Sequence, residues 1–371
     1  MNKQFLLRMT YKYREFLYML HRHPTKGILP SGIPCHVEDP ESDITHGDVV
    51  HPCVRYIEEG FEGHKWWMVY TPFYAGIEKI ENPKLCYADA EEEPPTEWKY
   101  YCTIKDCPET GYNSDPTLLF KDGRLYVFWR ECNTPKTKKL GCDAATFGCY
   151  VQNKIVYYLS QPLLTNFFSN NQGFLDREIC PTIIAKNGSF WGYTLHHCQS
   201  SIPKFIEQIP PKLGSFVYRH HLLNLLDVLF GYKEYINLGI AIWKGNNLEQ
   251  PFEYKKTTKI QHVSRLYQPW HMDLLEANTK DGERIFAVMQ SSLSFADICL
   301  AWCQEGETFT LYREPLITSK TIGMAGLYKP SAVIVGNKFY LYYTARDNQD
   351  YHLNRLFVTS EDLESLLERM K

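Results

Sequence analysis

The chain has 371 residues, of which 44% are hydrophobic and 22% are charged, and its formal net charge is −3. These values exclude a disordered chain, and the absence of a basic stripe argues against electrostatic nucleic-acid binding. An aromatic content of 15% favours β structure and surfaces on which sugar rings stack.

The N-terminal segment at residues 3–22 predicts a helix, because Phe5, Met9, Phe16 and Leu20 lie near one face. Charged residues interrupt this segment, so it is not a signal peptide, and no apolar run is long enough to span a membrane. We therefore expect a cytoplasmic protein with no membrane partner, and we leave open export by a route without a signal peptide. The cysteines are expected to be free thiols, and the absence of a C-x-x-C pair argues against structural zinc.

The stretch Gly111–Glu131 contains two β-type runs around a Lys-Asp-Gly-Arg turn, which is a strong hairpin signal. The first run begins at Asp115 and Pro116. An anchor residue, an apolar run, a turn and a second apolar run recur in this order along the chain. The five anchors are Pro52, Pro116, Pro181, Met272 and Pro330.

A third apolar run follows each hairpin, at residues 85–88, 155–159, 240–243, 298–302 and 356–359. Outer runs follow at 98–102, 252–255 and 309–312. Five units of four antiparallel strands predict an all-β, five-bladed β-propeller in a single domain of residues 1–371. A β-sandwich with coincidental hairpins is the alternative. The predicted blade cores lie near residues 51–102, 115–165, 180–256, 271–314 and 329–360.

Two further helices are predicted. An insertion at about residues 195–237, between the second and third strands of blade three, contains a helical apolar run at 220–230. Its role as a lid or as a partner-binding flap is left open. Residues 361–370 predict a short amphipathic helix at the C-terminus.

In a propeller the first strand of each blade lines the central axis, so the residues before the anchors converge at one mouth. These residues are His51, Asp115, Cys180, His271 and Lys329. The carboxylates Asp48, Glu178 and Asp273 lie within a few residues of them. Titratable groups that converge in this way can form a carboxylate pair for acid–base chemistry.

The hairpins of this chain resemble those of the arabinanase, fructosidase and xylosidase-like propellers. The shared features are an inner strand that opens with Asp-Pro, a turn with glycine, and a Tyr-rich second strand that ends near Thr. These propellers belong to glycoside hydrolase families 43, 32 and 68. The resemblance implies an Asp base or nucleophile on blade one, a second Asp on blade two and a Glu acid on blade three. Asp115 matches the blade-two Asp, and Glu178 resembles the acid with an offset of one residue. Blade one has His51-Pro52 in place of Asp-Pro, and Asp48 is the substitute nearby.

The catalytic residues that follow from this resemblance are Asp48, Asp115 and Glu178. Tyr112 and Trp270 are expected to stack on sugar faces, and Arg55 to bind the carboxylate of a uronic or sialic acid. His271 and Asp273 share a strand face and could bind a sugar hydroxyl or a metal. The remaining predicted substrate-binding residues are His51, Glu81, Arg130, Lys329 and Arg346.

The leading functional hypothesis is a glycoside hydrolase that acts on a glycan through carboxylate acid–base catalysis at the axial mouth. One alternative is a polysaccharide lyase or phosphorylase that uses His51 or His271. Another is a carbohydrate-binding propeller without catalysis. No cofactor is expected, apart from room for a structural divalent cation in the tunnel. Carbohydrate is the expected partner, and the sequence leaves open the substrate and the oligomeric state.

Overall fold

The computed structural model describes residues 27–89, 94–165, 176–199, 235–261, 269–291, 297–304, 308–324 and 326–370. In these segments strands predominate, and they form five sheets arranged as the blades of a β-propeller. The predicted five-bladed fold is confirmed. The helices predicted at 3–22 and 220–230 lie outside the described residues. Within the described segments, no helix is long and apolar enough to cross a membrane.

The N-terminal segment and blade one come first in the chain. Two short strands, β1 (Ile33–Pro34) and β2 (His36–Val37), precede a helical turn, α1 (Ser42–Thr45). The four main strands of blade one are β3 (Val50–Phe61), β4 (His64–Thr71), β5 (Lys84–Ala88) and β6 (Glu97–Thr103). Between β4 and β5 lie two 3₁₀ turns, Tyr74–Gly76 and Glu78–Ile80.

Blade two begins with the predicted hairpin, and blade three follows it. The elements of blade two are β7 (Tyr112–Lys121), β8 (Arg124–Cys132), α2 (Pro135–Lys139), β9 (Ala144–Gln152), β10 (Ile155–Tyr158) and β11 (Leu164–Thr165). Blade three consists of β12 (Asp176–Lys186), β13 (Ser189–Gln199), β14 (Tyr235–Gly245) and β15 (Glu253–Thr258). The insertion in blade three leaves the sheet between β13 and β14, but residues 195–199 and 235–237 of the predicted insertion belong to these two strands.

Blades four and five complete the ring. The elements of blade four are β16 (Ile260–Gln261), β17 (Pro269–Thr279), β18 (Gly282–Ser291), β19 (Asp297–Cys303), β20 (Phe309–Leu311) and β21 (Ile317–Thr318). A helical turn, α3 (Ser319–Ile322), leads into blade five. Blade five contains β22 (Gly326–Val335), β23 (Lys338–Arg346) and β24 (Asn354–Asp362), and α4 (Leu363–Met370) follows it.

The third strand of blade two differs from the prediction. It is β9, whereas the predicted run at 155–159 forms the outer strand β10. Asn153 and Lys154 have φ values of 50° and 62°, which allows a tight turn to join the two strands. The small residues of β9 obscure its strand signal, and they have a packing reason: a Cβ on Gly148 would lie 2.5 Å from the ring of Phe128.

The ring is closed by the N-terminal segment. Strand β1 pairs with β24 and so supplies the outer strand of blade five, with Ile33 opposite Val358. Strand β2 pairs with β6 of blade one, with Val37 opposite Trp98. The same short segment therefore bonds to the first and the last blade, which holds the two ends of the ring together.

Aromatic side chains fill the spaces between blades. Trp67 and Trp129 are buried between blades one and two, and Trp66 is buried between blades one and five. The ring of Trp66 meets that of Tyr340 edge to face, at a centroid distance of 5.7 Å. In the described segments, these large aromatic residues therefore serve the packing between sheets.

Candidate active site

A β-bulge recurs at the start of each blade, at or next to the residue that joins the axial group. The pairing register between first and second strands shifts at the start of β3, β7, β12, β17 and β22. In blades one to three the first bulged residue precedes a proline and has positive φ: 52° at His51, 50° at Asp115 and 53° at Cys180. Proline cannot donate a ladder hydrogen bond, so a bulge accommodates it, and bulges redirect side chains. Non-glycine residues held at positive φ often mark functional positions.

Asp115 lies at the centre of the side chains that converge on the axis. Its Oδ2 is 3.0 Å from Nη2 of Arg130, and its Oδ1 accepts a hydrogen bond from the Cys180 thiol at 3.3 Å. Nε2 of His51 and Nε2 of His271 lie 3.7 Å and 4.0 Å from the same Oδ1. Burial alone would raise the pKa of Asp115, but the Arg130 guanidinium, together with Lys329, holds it well below its usual range. Asp115 is therefore ionised.

Glu81 reaches the same site from the loop that follows the 3₁₀ turn Glu78–Ile80. Its Oε1 lies 3.2 Å from Nδ1 of His51, so His51 stands between the carboxylates of Glu81 and Asp115. Burial, followed by repulsion from Asp115, raises the pKa of Glu81 well above its usual value. Burial also lowers the pKa of His51 well below its usual value. The two carboxyl groups therefore favour opposite protonation states on either side of a neutral imidazole.

The ends of the second strands support the axial residues. Thr71, at the end of β4, is 2.9 Å from Nδ1 of His51, and Gln290 Oε1 on β18 accepts a hydrogen bond from Nδ1 of His271 at 3.1 Å. Burial lowers the pKa of His271 to about 4, so its ring is neutral at pH 7. Thr71 and Gln290 are absent from the sequence prediction. Gln290 lies directly opposite His271 in the strand register, a cross-strand pairing that could have identified it.

His51, Asp115 and His271 could together hold a metal ion. Among the described residues, their ligand atoms form a group in which all lie within 4.8 Å of one another. Nδ1 of His271 donates a hydrogen bond, so Nε2 of the neutral ring carries a lone pair, and this lone pair faces the Asp115 carboxylate. If Nδ1 of His51 donates to Glu81, Nε2 of His51 also presents a lone pair to Asp115. Two lone pairs that face an anionic oxygen form a donor set suited to a cation, and histidine ligands usually have such partners on the second nitrogen.

Other predicted site residues have different surroundings. Asp48 accepts hydrogen bonds from the backbone N–H groups of Phe73 at 2.7 Å and Asn354 at 2.5 Å, and from Nδ2 of Asn354 at 3.0 Å. Burial raises the pKa of Asp48 to about 6, although these hydrogen bonds oppose the rise. Arg346 is among the groups that lower this pKa, so it lies near Asp48. Asp48 thus links blades one and five at their junction.

Replacing Asp48 by alanine should destabilise the fold by about 2–4 kcal/mol, because two buried backbone N–H groups lose their acceptor. Urea unfolding of the wild type and the variant would measure the loss. Asp43, which is exposed on α1, provides a matched control whose replacement by alanine should change stability by less than about 0.5 kcal/mol. A stable Asp48→Ala protein would show that this junction does not depend on the carboxylate.

Arg55 and Asp273 form an ion pair across the tunnel. The two terminal nitrogens of Arg55 donate to Oδ2 and Oδ1 of Asp273 at 2.8 Å and 2.7 Å, and Ser331 donates to Oδ2 at 2.7 Å. The bidentate pair joins blades one and four, and Ser331 adds blade five. The guanidinium that the sequence analysis assigns to a substrate carboxylate is therefore bound to a carboxylate of the protein.

Glu178 and the aromatic candidates lie around the central group. Glu178 accepts a hydrogen bond from Thr194 on β13, and Nε2 of His196 is 3.7 Å from its Oε1. The ring of Trp270, which is partly exposed, lies 6.5 Å from that of His271. Tyr112, also partly exposed, starts β7 on the strand that carries Asp115. Tyr328 lies 4.3 Å from the ring of His271 and is a further aromatic neighbour that the sequence prediction lacks.

Solved structures share this architecture. An N-acetylgalactosamine deacetylase from F. plautii, solved in complex with blood group B trisaccharide, superposes with a TM-score of 0.57 at 14% identity, covering 93% of this chain and 97% of that chain. The five-bladed β-propeller is the shared fold. The β-xylosidase RS223 gives a TM-score of 0.54 at 12% identity over 84% of this chain and 92% of its own.

A third similar structure is CoXyl43, a β-xylosidase/α-arabinofuranosidase from a compost microbial metagenome, solved with xylotriose in a calcium-free form. Its TM-score is 0.54 at 14% identity over 90% of this chain and 95% of its own. No family model and no curated protein sequence matches the chain. Identities this low establish a common fold and leave the chemistry to be argued from the side chains.

Proposed function

We propose that this protein is a glycoside hydrolase whose reaction takes place at the axial mouth, with Asp115 and Glu81 as its acid–base pair. The observation that supports this proposal is the position of the two carboxyl groups on either side of His51, with their pKa values shifted in opposite directions. Such divergence distinguishes a proton donor from a base or nucleophile. Glu81 would protonate the glycosidic oxygen, and Asp115 would activate water or attack the anomeric carbon.

Two observations support a carbohydrate as the substrate. Partly exposed aromatic rings, Tyr112, Trp270 and Tyr328, surround the central group and suit the apolar faces of sugars. The similar structures include proteins solved with xylotriose and with blood group B trisaccharide. Glu178, the acid implied by the resemblance to families 43, 32 and 68, remains the alternative proton donor, and Asp48 the alternative base.

A panel of neutral and acidic oligosaccharides tests the proposal, with products followed by mass spectrometry. Hydrolysis adds one water to each bond that is broken, and NMR of the first-formed anomer distinguishes retention from inversion. A product that absorbs in the ultraviolet through a new double bond would indicate a lyase that uses His51 or His271. Phosphate-dependent formation of sugar phosphates would indicate a phosphorylase. Binding without turnover across the panel would favour a carbohydrate-recognition propeller.

A second candidate function is metal-assisted hydrolysis of a substituent on a sugar, such as an acyl group. The observation in its favour is the convergence of the two histidine Nε2 atoms on Asp115. A divalent ion in this position would supply Lewis acidity and an activated water. His51, Asp115 and His271 would hold the ion, while Glu81 and Gln290 would orient the imidazoles.

For this second candidate, the wild-type protein should bind Zn²⁺, and His271→Gln should weaken the affinity by more than about a hundredfold. Calorimetry with the metal alone measures this affinity without any substrate, and Co²⁺ substitution adds a visible absorption spectrum. His36→Gln is the matched control, because His36 is exposed on β2. Equal affinities of the wild type and His271→Gln would exclude these three side chains as a metal centre.

A further inference from the structure

Arg130 and Lys329 bring two basic side chains to the axial group around Asp115. Nη2 of Arg130 lies 3.0 Å from Oδ2 of Asp115. Lys329 is buried, and among the described residues no carboxylate oxygen lies within 4.0 Å of its side-chain nitrogen, whose hydrogen bond goes to a backbone carbonyl oxygen. A buried ammonium without a carboxylate partner is costly, so this position favours an anionic ligand.

The same two side chains have hydrogen-bond donors to spare. Lys329 is 2% exposed, and among the described residues the one hydrogen bond from its ammonium goes to the carbonyl oxygen of Pro116 at 3.3 Å. An ammonium has three donors, so two are left. Arg130 bonds to Asp115 and Ser114 through Nη2, while its buried Nε has no partner in the part of the chain that the structure describes. Buried unsatisfied donors favour a ligand that brings acceptor oxygens.

The surroundings of these donors suit a sugar. Tyr328 is the neighbour of Lys329 in the bulge of β22, and its ring lies 5.5 Å from that of His51. Arg130 emerges at the end of β8, and its side chain is 14% exposed. Arg55 is occupied by Asp273, so it does not compete for a ligand anion. Tyr328 and Arg130 therefore both border the axial group, through His51 and Asp115 respectively.

We propose that the axial site takes an acidic sugar, such as a uronic acid residue, whose carboxylate is bound by Lys329 and Arg130. This inference rests on the proposed function in that it places a sugar at the same mouth. It goes further in naming the charge of the sugar that is recognised. A carboxylate supplies acceptor oxygens to both side chains and gives the Lys329 ammonium a counter-charge.

Calorimetry with matched glycosides tests this inference. The wild type should bind methyl β-D-glucuronide at least about tenfold more tightly than methyl β-D-glucoside. The carboxylate of the glucuronide can accept a charge-assisted hydrogen bond, which the glucoside cannot. Lys329→Met should bring the two affinities to within about threefold, and Lys329→Arg should retain the preference. Lys244→Met is the control, since Lys244 lies over the ring of Trp191 in the outer part of blade three.

Equal binding of the two glycosides by the wild type would overturn the inference, even if Lys329→Met failed to fold. An unchanged preference in a folded Lys329→Met protein would also overturn it. Tighter binding of glucose 6-phosphate than of the glucuronide would indicate that the site recognises a phosphate, and it would contradict the proposal of a uronic acid. These measurements need no turnover, so a protein that prefers the glucuronide but cleaves no glycan would contradict only the proposed function.

Discussion

Asp115→Asn should lower kcat/KM by about a thousandfold or more on any oligosaccharide that the wild type cleaves. An amide can neither accept the proton of water nor attack the anomeric carbon. The substitution also leaves Arg130 without its counter-charge, so part of the loss would arise from a displaced Arg130. Initial rates at substrate concentrations below KM measure the effect.

The control for this substitution is Asp122→Asn, in the turn between β7 and β8. Its side chain is 77% exposed, so the activity should stay within about twofold of the wild type. A circular dichroism spectrum of Asp115→Asn would check that the blades remain folded. Activity of a folded Asp115→Asn protein within about threefold of the wild type would remove Asp115 from the chemistry.

The second large effect is expected at Glu81. Glu81→Gln should lower kcat by about a hundredfold to ten-thousandfold, whereas Glu178→Gln should lower it by less than about tenfold. A general acid works only in its protonated form. Wild-type activity should therefore persist above the usual carboxyl range and fall as the pH rises through the raised pKa of Glu81. The pH profile of Glu81→Gln should lack this fall.

Two measurements distinguish proton donation from a merely structural role of Glu81. An aryl glycoside with an acidic phenol as its leaving group needs little protonation, so Glu81→Gln should lose much less activity on it than on the natural linkage. The reverse order of losses, with Glu178→Gln more severe and Glu81→Gln mild, would restore the acid assignment that the family resemblance implies. Either result identifies the donor.

The architecture was predictable because each blade repeats a local signal. Hairpins with a glycine in the turn recur along the chain, and the number of blades follows from counting them. The exceptions have physical causes. Strand β9 has a weak strand signal in part because it contains Gly148, where a Cβ would collide with the ring of Phe128. Strand β1 has only two residues, and it is a strand because it pairs with β24 at the other end of the chain, which no local pattern predicts.

The candidate site was predictable to the extent that topology determines it. His51, Asp115 and His271 precede anchors on different blades, and the ring brings them together. The spacing of residues in the sequence could not predict which charged side chains pair with each other. Arg55 and Asp273 lie far apart in the chain and meet only across the tunnel, and the position of Glu81 beside His51 depends on a loop. The repeated hairpins can be found in the sequence, whereas the ion pairs between distant side chains form only when the ring of blades is assembled.

The axial side chains beside the bulges come from different blades, so ligand binding at this group depends on the integrity of the whole ring. A ligand that touches several of these side chains binds the closed propeller and has no equivalent site in the unfolded chain. At a hundred times its dissociation constant, such a ligand would add about 2.7 kcal/mol to the free energy of unfolding. Thermal unfolding of the intact protein therefore provides a general detector for its ligands, whether or not they are turned over.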